Sequence, residues 1–429
     1  MILYTLVFVA FLNGCHGGGG GGGGCFSTAS TSGDFNIDEF EYQGDSIIFA
    51  CIIADSQPEF HMTEVNGSIP SALVDRLDNG RDLSLFFHDV KNVVDSSCVL
   101  LRSFANEWSR RSNNNICIIS YAYTTSTSKV LKMYPIVNQM VKTGRLEYVA
   151  KMTRDLVFNV RGKCLETPER RCLKNLSQVD ISGFSFGAHI AGKTCQYLFT
   201  RTGERVRMLL ALDPIKTPLF GAKIKDSIMK GIADYVQVVH TSKNVGIWDQ
   251  IGDVDIYVKY EKQKNLTSLN DEHGLAFFIH VGISTKRLNM WASQSENGKG
   301  DMWRYVGRTL SDNECRIGVY AALNPIHRGN KFGLSLKRRG KEFWEGLGKY
   351  ADDEILLGTQ DVEKEENISN DPDSNICILC CENQKDTILY PCKHKHTCIA
   401  CWKKWKAERR LNATCPFCTR KVTEVEVIN

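Results

Sequence analysis

Two stretches of this sequence combine residue types and spacing that can do chemistry. In "VDISGFSFGAHIAG", residues 179–192, Ser185 stands between Gly183 and Gly187 just where an apolar run ends. A serine hydroxyl on a sharp strand-to-helix turn is open to a neighbouring base. The helix start behind it offers backbone N–H groups to a developing oxyanion. Glycines suit that turn, because bulkier neighbours would collide with the strand or helix beside it. The second stretch, residues 377–418, pairs Cys377 with Cys380, Cys392 with His394, Cys398 with Cys401, and Cys415 with Cys418. Eight soft ligands in four close pairs suit two tetrahedral zinc ions, each pair reaching a metal from a tight knuckle. His396 is the alternative to His394, and Cys381 is a spectator thiol.

The elements around Ser185 must place it at a strand end. "LSLFF" and "NNNICIIS" read as buried strands, and "YPIVNQMVKTGRLEYVAKMTRDLVFNV" as one or two amphipathic helices. "QVDIS" is a strand, "GAHIAGKTCQYLF" a helix, and "VRMLLALD" and "YVQVVHT" are further strands. This alternation predicts an α/β fold, a mainly parallel sheet with helices on both faces. Asp213 closes one of those strands, where Asp-Pro is also a good turn starter.

Composition narrows the function classes. A formal charge of +4 over 429 residues is too mild to argue for nucleic acid. The apolar run Ile2–Leu12 is too short for a transmembrane span and about right for a signal-peptide core, although no positive charge precedes it. The expected organisation is a signal peptide at 1–15, a glycine linker at 16–24, and a large domain at 25–345. An acidic linker at 346–375 and a small zinc domain at 376–423 follow. Residues from about 25 to 75 are polar and poorly periodic. The cysteines scattered from Cys51 to Cys315 are compatible with disulfides in a secreted protein or with buried thiols in a cytosolic one.

"GFSFGAHIAG" resembles the nucleophile elbow of the pancreatic lipase family, and "LLALDPIKTPLF" resembles its aspartate strand. The similarity covers roughly residues 80–345 and implies an α/β-hydrolase fold that needs no cofactor. Carried over, Ser185 is the nucleophile and Asp213 the acid that orients the base. The base follows a loop and opens a helix in that family. His280 is the choice within "DEHGLAFFIHVGISTKRL", His273 is the runner-up, and an alignment with Ser284 there would break the triad. His189 and His240 are expected to be packing histidines. The oxyanion donors would be the N–H groups of Val90 and Phe186. Where the family has His-Gly-Phe this chain has His88-Asp89-Val90, which sets a carboxylate beside a developing negative charge. The resemblance implies a lipid ester substrate or a lipid surface, with the short stretch "KYEKQKNLTSLNDEHG" where lipases carry a lid.

The tail resembles a C3HC4 RING finger. Its cross-brace implies one zinc on Cys377, Cys380, Cys398 and Cys401, and another on Cys392, His394, Cys415 and Cys418. Ile378 and Pro416, with a contribution from Trp402, fall where such domains present a groove to a ubiquitin-conjugating enzyme. Such a ligase works in the cytoplasm, whereas a signal peptide leads to secretion. Three readings follow from that conflict. The first is a secreted ester hydrolase with a zinc tail, the leading one. The second is a ubiquitin ligase whose hydrolase-like domain recognises lipid or protein. The third is a non-catalytic lipid-binding module.

Overall fold

In a computed structural model the described residues are 36–54, 59–90, 98–123, 133–166, 171–216, 224, 226–260, 269–303, 309–351, 377, 383–409, 413, 415 and 421–428. The expected signal peptide, both linkers except residues 346–351, Cys380, Cys381, Cys418, Ile378 and Pro416 lie outside them. So does residues 261–268 of the lid stretch.

The larger domain begins with β1 (Ile47–Ile52), β2 (Phe60–Val65), α1 (Ser71–Leu77), β3 (Leu83–Phe87), α2 (Val99–Ser112) and β4 (Asn115–Ser120). Helices α3 (Met133–Lys142) and α4 (Arg145–Glu166) lead to β5 (Val179–Phe184), α5 (Phe186–Thr202), β6 (Val206–Leu212), β7 (Ala233–His240) and β8 (Val254–Lys259). It closes with α6 (Leu269–Ser284), β9 (Asn289–Gln294), β10 (Asp301–Trp303), β11 (Glu314–Arg316), β12 (Asn330–Ser335) and α7 (Gly340–Leu347). The sheet runs β10-β9-β12-β8-β7-β6-β5-β3-β4-β1-β2, with β11 on β9. Its centre, from β4 through β12 on β8, is parallel, and both edges are antiparallel.

Two cores explain why the central strands read as unbroken apolar runs. Leu83, Leu85 and Phe87 join Ile181, Leu209, Ala211 and Val236 under α1, α4 and α5. On the opposite face Phe86, Met208, Leu210, Leu212 and Val239 pack with α2, α6 and α7. A strand alternates its side chains, so burial on both faces needs apolar residues at every position. Strands β1 and β2 fall within residues 25–75, which read as polar and poorly periodic; β1 pairs with both β2 and β4. The large domain also runs beyond residue 345, since Leu347 and Tyr350 are fully buried in the second core.

Four of the scattered cysteines form disulfides. Cys51–Cys117 joins directly opposed residues of β1 and β4. Cys164–Cys172 ties the end of α4 to the approach to β5. Cys195 and Cys315 are buried thiols, with burial pushing the latter up to about 12.

The tail holds β13 (Thr387–Tyr390), β14 (His394–Thr397), α8 (Ile399–Arg409) and β15 (Glu424–Val427). The three strands form a sheet in the order β14-β13-β15, and Leu389, Trp402, Trp405, Ala413 and Cys415 make its core. Trp402, expected at a partner groove, is therefore a core residue only 4 % exposed.

Candidate active site and metal centre

The strand register brings the site together. Phe87 pairs with Gly183, Gly183 with Ala211, and Leu212 with Val239. The segments that follow β3, β5, β6 and β7 therefore leave the carboxyl edge of the sheet side by side, where open parallel sheets place their ligands. Ser185 sits there with φ 60° and ψ −121°, in the left-handed half of backbone space that a non-glycine residue seldom enters. Its N–H donates to the Leu212 carbonyl at 3.0 Å, and its own carbonyl accepts from Ile215 N–H at 3.4 Å. The flanking glycines are required by close approach. A Cβ on Gly183 would stand 2.2 Å from the Gly187 carbonyl oxygen, and one on Gly187 would stand 2.4 Å from that of Phe87.

His273, not His280, meets the serine. Its Nε2 is 2.8 Å from Ser185 Oγ and its Nδ1 is 2.6 Å from Asp213 Oδ2. Asp213 is fully buried, and its carboxylate accepts from the backbone N–H groups of Thr241 (2.8 Å) and Ser242 (3.1 Å) and from the Ser242 hydroxyl. These donors fix the carboxylate's plane, and it in turn orients the imidazole. Sequence reasoning missed Ser242. The signal was the Thr-Ser pair just after β7, the strand next to the one that ends in Asp213.

His280 is corrected because it lies inside a helix rather than before one. Both histidines are on α6, seven residues apart, which is about 10.5 Å along a helix axis and nearly two whole turns. They share the sheet-facing side, but only His273 reaches the carboxyl edge. His280 lies deeper, 4.9 Å from the Phe86 ring, 5.0 Å from Trp108 and 5.7 Å from Phe104 between centroids. Its Nδ1 is 3.1 Å from Ser284 Oγ, its Nε2 has no hydrogen-bond partner among the described residues, and burial pushes it down to about 3.

His189 is held between Ser227 Oγ (2.6 Å) and the Ile215 carbonyl (2.7 Å) on the elbow helix. His240 lies between the Ile247 carbonyl (2.7 Å) and the Asp255 carboxylate (2.8 Å). Burial pushes both His189 and His88 down to about 4. A histidine kept neutral on folding gives stability that is complete above its unfolded pKa near 6.5 and is lost as pH falls toward its folded value. For His88, His189 and His280 the window is therefore roughly pH 6.5 to between 3 and 4. At pH 5 each costs on the order of 2 kcal/mol, a sizeable fraction of an ordinary domain's stability. Thermal unfolding should thus show a steep fall in Tm between pH 6.5 and 4. His280→Phe should flatten that fall, and an unchanged slope in the variant would remove His280 from the account.

At the expected oxyanion donors, Phe186 opens α5, where the first N–H groups have no helical acceptor. Val90 follows β3 but is engaged: its N–H donates to Asp89 Oδ1 at 2.5 Å. Asp89 is only 6 % exposed.

In the tail, Cys377, Cys398 and Cys401 gather their sulfur atoms within 4.8 Å of one another, and Cys392, His394 and Cys415 do the same with their ligand atoms. Cys377 of the first pair thus shares a cluster with the third pair, and Cys415 of the fourth with the second pair. Neither disulfide of the described residues involves these cysteines. The N–H of Cys401 and the Asn383 amide both point at Cys398 Sγ, at 3.4 and 3.7 Å, as donors would to a thiolate. Soft, mutually close donors of this kind fit zinc.

Residues 148–264 match the Lipase family model, and residues 373–425 match the model described as zinc finger, C3HC4 type (RING finger). Over these two stretches the chain is similar to lipases and to C3HC4 RING fingers. The lipase-like part is 35 % identical over 142 residues to phospholipase A1 4 of Polistes dominula, covering 32 % of this chain and 40 % of that one. Against phospholipase A1 of Vespula squamosa the figures are 32 % identity, 27 % and 39 %. Vitellogenin-3 of Drosophila melanogaster is 32 % identical over 80 residues, or 18 % of this chain and 19 % of the relative. The chain therefore spans about 40 % of the length of the first of these relatives. Among solved structures, a hormone-sensitive lipase from a metagenome library is 10 % identical with a TM-score of 0.21, covering 42 % of this chain and 48 % of that one. Among the described residues no helix is long and apolar enough to cross a membrane.

Proposed function

We propose that the lipase-like domain hydrolyses carboxylic esters of lipids, in the manner of a phospholipase A1, through Ser185, His273 and Asp213. The relay Ser185 Oγ–His273–Asp213, at 2.8 and 2.6 Å, carries this reading. His273 Nε2 takes the hydroxyl proton as Ser185 Oγ attacks the ester carbonyl, and Asp213 stabilises the imidazolium. The oxyanion is received by the N–H of Phe186 and, when it is released, that of Val90. Collapse breaks the bond to the alcohol oxygen, which leaves with the proton from His273. Water, deprotonated by the same histidine, then frees the fatty acid and restores Ser185. Relatives named phospholipase A1 support this substrate class.

A serine-directed fluorophosphonate tests the reading. Full-length protein should be labelled and a Ser185→Ala variant should not. Equal labelling of both would sink it.

The paired ligand clusters support a second activity for the tail. With Cys380 and Cys418 completing the sets, the RING would hold two zinc ions and could dock a ubiquitin-conjugating enzyme. The two disulfides favour passage through an oxidising compartment, and so favour secretion over the cytoplasmic ligase.

A further inference from the structure

We propose that Asp89 is a brake built into the hydrolytic site, its carboxylate taking the seat that the oxyanion of a bound ester would need. This rests on the hydrolase reading above. An acyl-transfer site of this design needs two N–H donors aimed at one point, and one of them here, Val90 N–H, already serves Asp89 Oδ1 at 2.5 Å. A tetrahedral intermediate would have to displace a carboxylate that competes for the same donor and carries the same sign of charge.

The surroundings hold the Asp89 backbone in place. His88 Nδ1 donates to the Asp89 carbonyl at 2.6 Å, and the Tyr121 hydroxyl donates to the His88 carbonyl. The Tyr121 and His88 rings stack at 5.1 Å. The carbonyls of Phe87 and His88 press against Gly187 of α5, so the segment has little room to shift. The His88 ring, pushed down to about 4 by burial, is neutral and offers no counter-charge. The Tyr121 phenol is pushed up, first by burial and then by the charge of Asp89. Asp89 lies outside the left-handed backbone region, so the position asks for no glycine and alanine can take it without strain.

The test compares full-length wild type with Asp89→Ala and the isosteric Asp89→Asn, using a short-chain p-nitrophenyl ester and the fluorophosphonate. Loss of one oxyanion donor costs roughly a hundred- to a thousandfold in rate. Releasing Val90 N–H should therefore raise kcat by about a hundredfold in Asp89→Ala, with KM within about twofold, and speed labelling in step. Asp89→Asn should fall between, because its amide oxygen still accepts from Val90 but without the charge. It also carries the test if the alanine variant does not fold. Folded variants that react no faster than wild type, while labelling still requires Ser185, would overturn the brake and leave the hydrolase reading standing. Silence of wild type and both variants alike would overturn both, since Asp89 could not then be what silences the serine.

Discussion

His273→Ala is expected to remove Ser185-dependent acyl transfer as completely as Ser185→Ala does, whereas His280→Phe should leave kcat within about twofold of wild type. In a serine hydrolase, loss of the serine or the histidine alone costs about a millionfold in kcat, and losing both costs little more. The geometry assigns that role to His273, which among the described residues alone bridges Ser185 Oγ and Asp213. His280 is fully buried among aromatic rings. Steady-state hydrolysis and fluorophosphonate labelling of both single variants and the Ser185→Ala/His273→Ala double variant decide the matter. Labelling that survives His273→Ala but is lost in folded His280→Phe would reverse the assignment. Additive losses in the double variant would mean that the two residues do not act as one unit.

Much of the sheet and two of the three residues of this relay were legible in the sequence. The strands around Ser185 and Asp213 are buried on both faces, and that burial writes itself as short apolar runs ending in the chemistry. Gly183 and Gly187 were legible for a local reason, because the strand and helix meet there too closely for a Cβ. The base was not legible, since its place depends on where α6 begins. "GLAFFIHVGIS" has no polar break, so it could be taken as a strand-like run with a helix after His280. In fact the helix starts at Leu269 and already contains it. The seven-residue spacing of His273 and His280 was the available clue, as it puts both on one helical face at different depths. Strand β2 was missed because it is an antiparallel edge, with exposed positions and no continuous apolar run, whereas β1, Ile47–Ile52, is an apolar run that was overlooked within a polar stretch. The capture of Val90 N–H by Asp89 could not be read from residue order. The sequence showed a carboxylate where the resembled family has glycine, and only the fold aims it at its neighbour's amide.

Removing zinc should unfold the RING domain and leave ester hydrolysis unchanged. The described core of the tail is small, with Leu389, Trp402, Trp405 and Ala413 packed against Cys415, which is itself a ligand candidate. A domain of this size gains no more than about 3–5 kcal/mol from its apolar core. Structural zinc contributes roughly 10–16 kcal/mol, so the metal decides whether the tail folds. Chelation should therefore bring amide exchange over residues 387–409 close to the unfolded rate, and added zinc should restore protection. The lipase-like domain has two extensive cores of its own, and no cysteine of the metal clusters belongs to either. Its crosslinks respond to the opposite treatment: a reductant opens Cys51–Cys117 and Cys164–Cys172, and leaves zinc-bound thiolates in the form that binds metal. Chelator and reductant should thus impair the two domains separately. Protection of the tail unchanged in metal-free protein would remove zinc from its folding. Loss of hydrolysis on chelation alone would instead show that the lipase-like domain depends on the metal for its own structure.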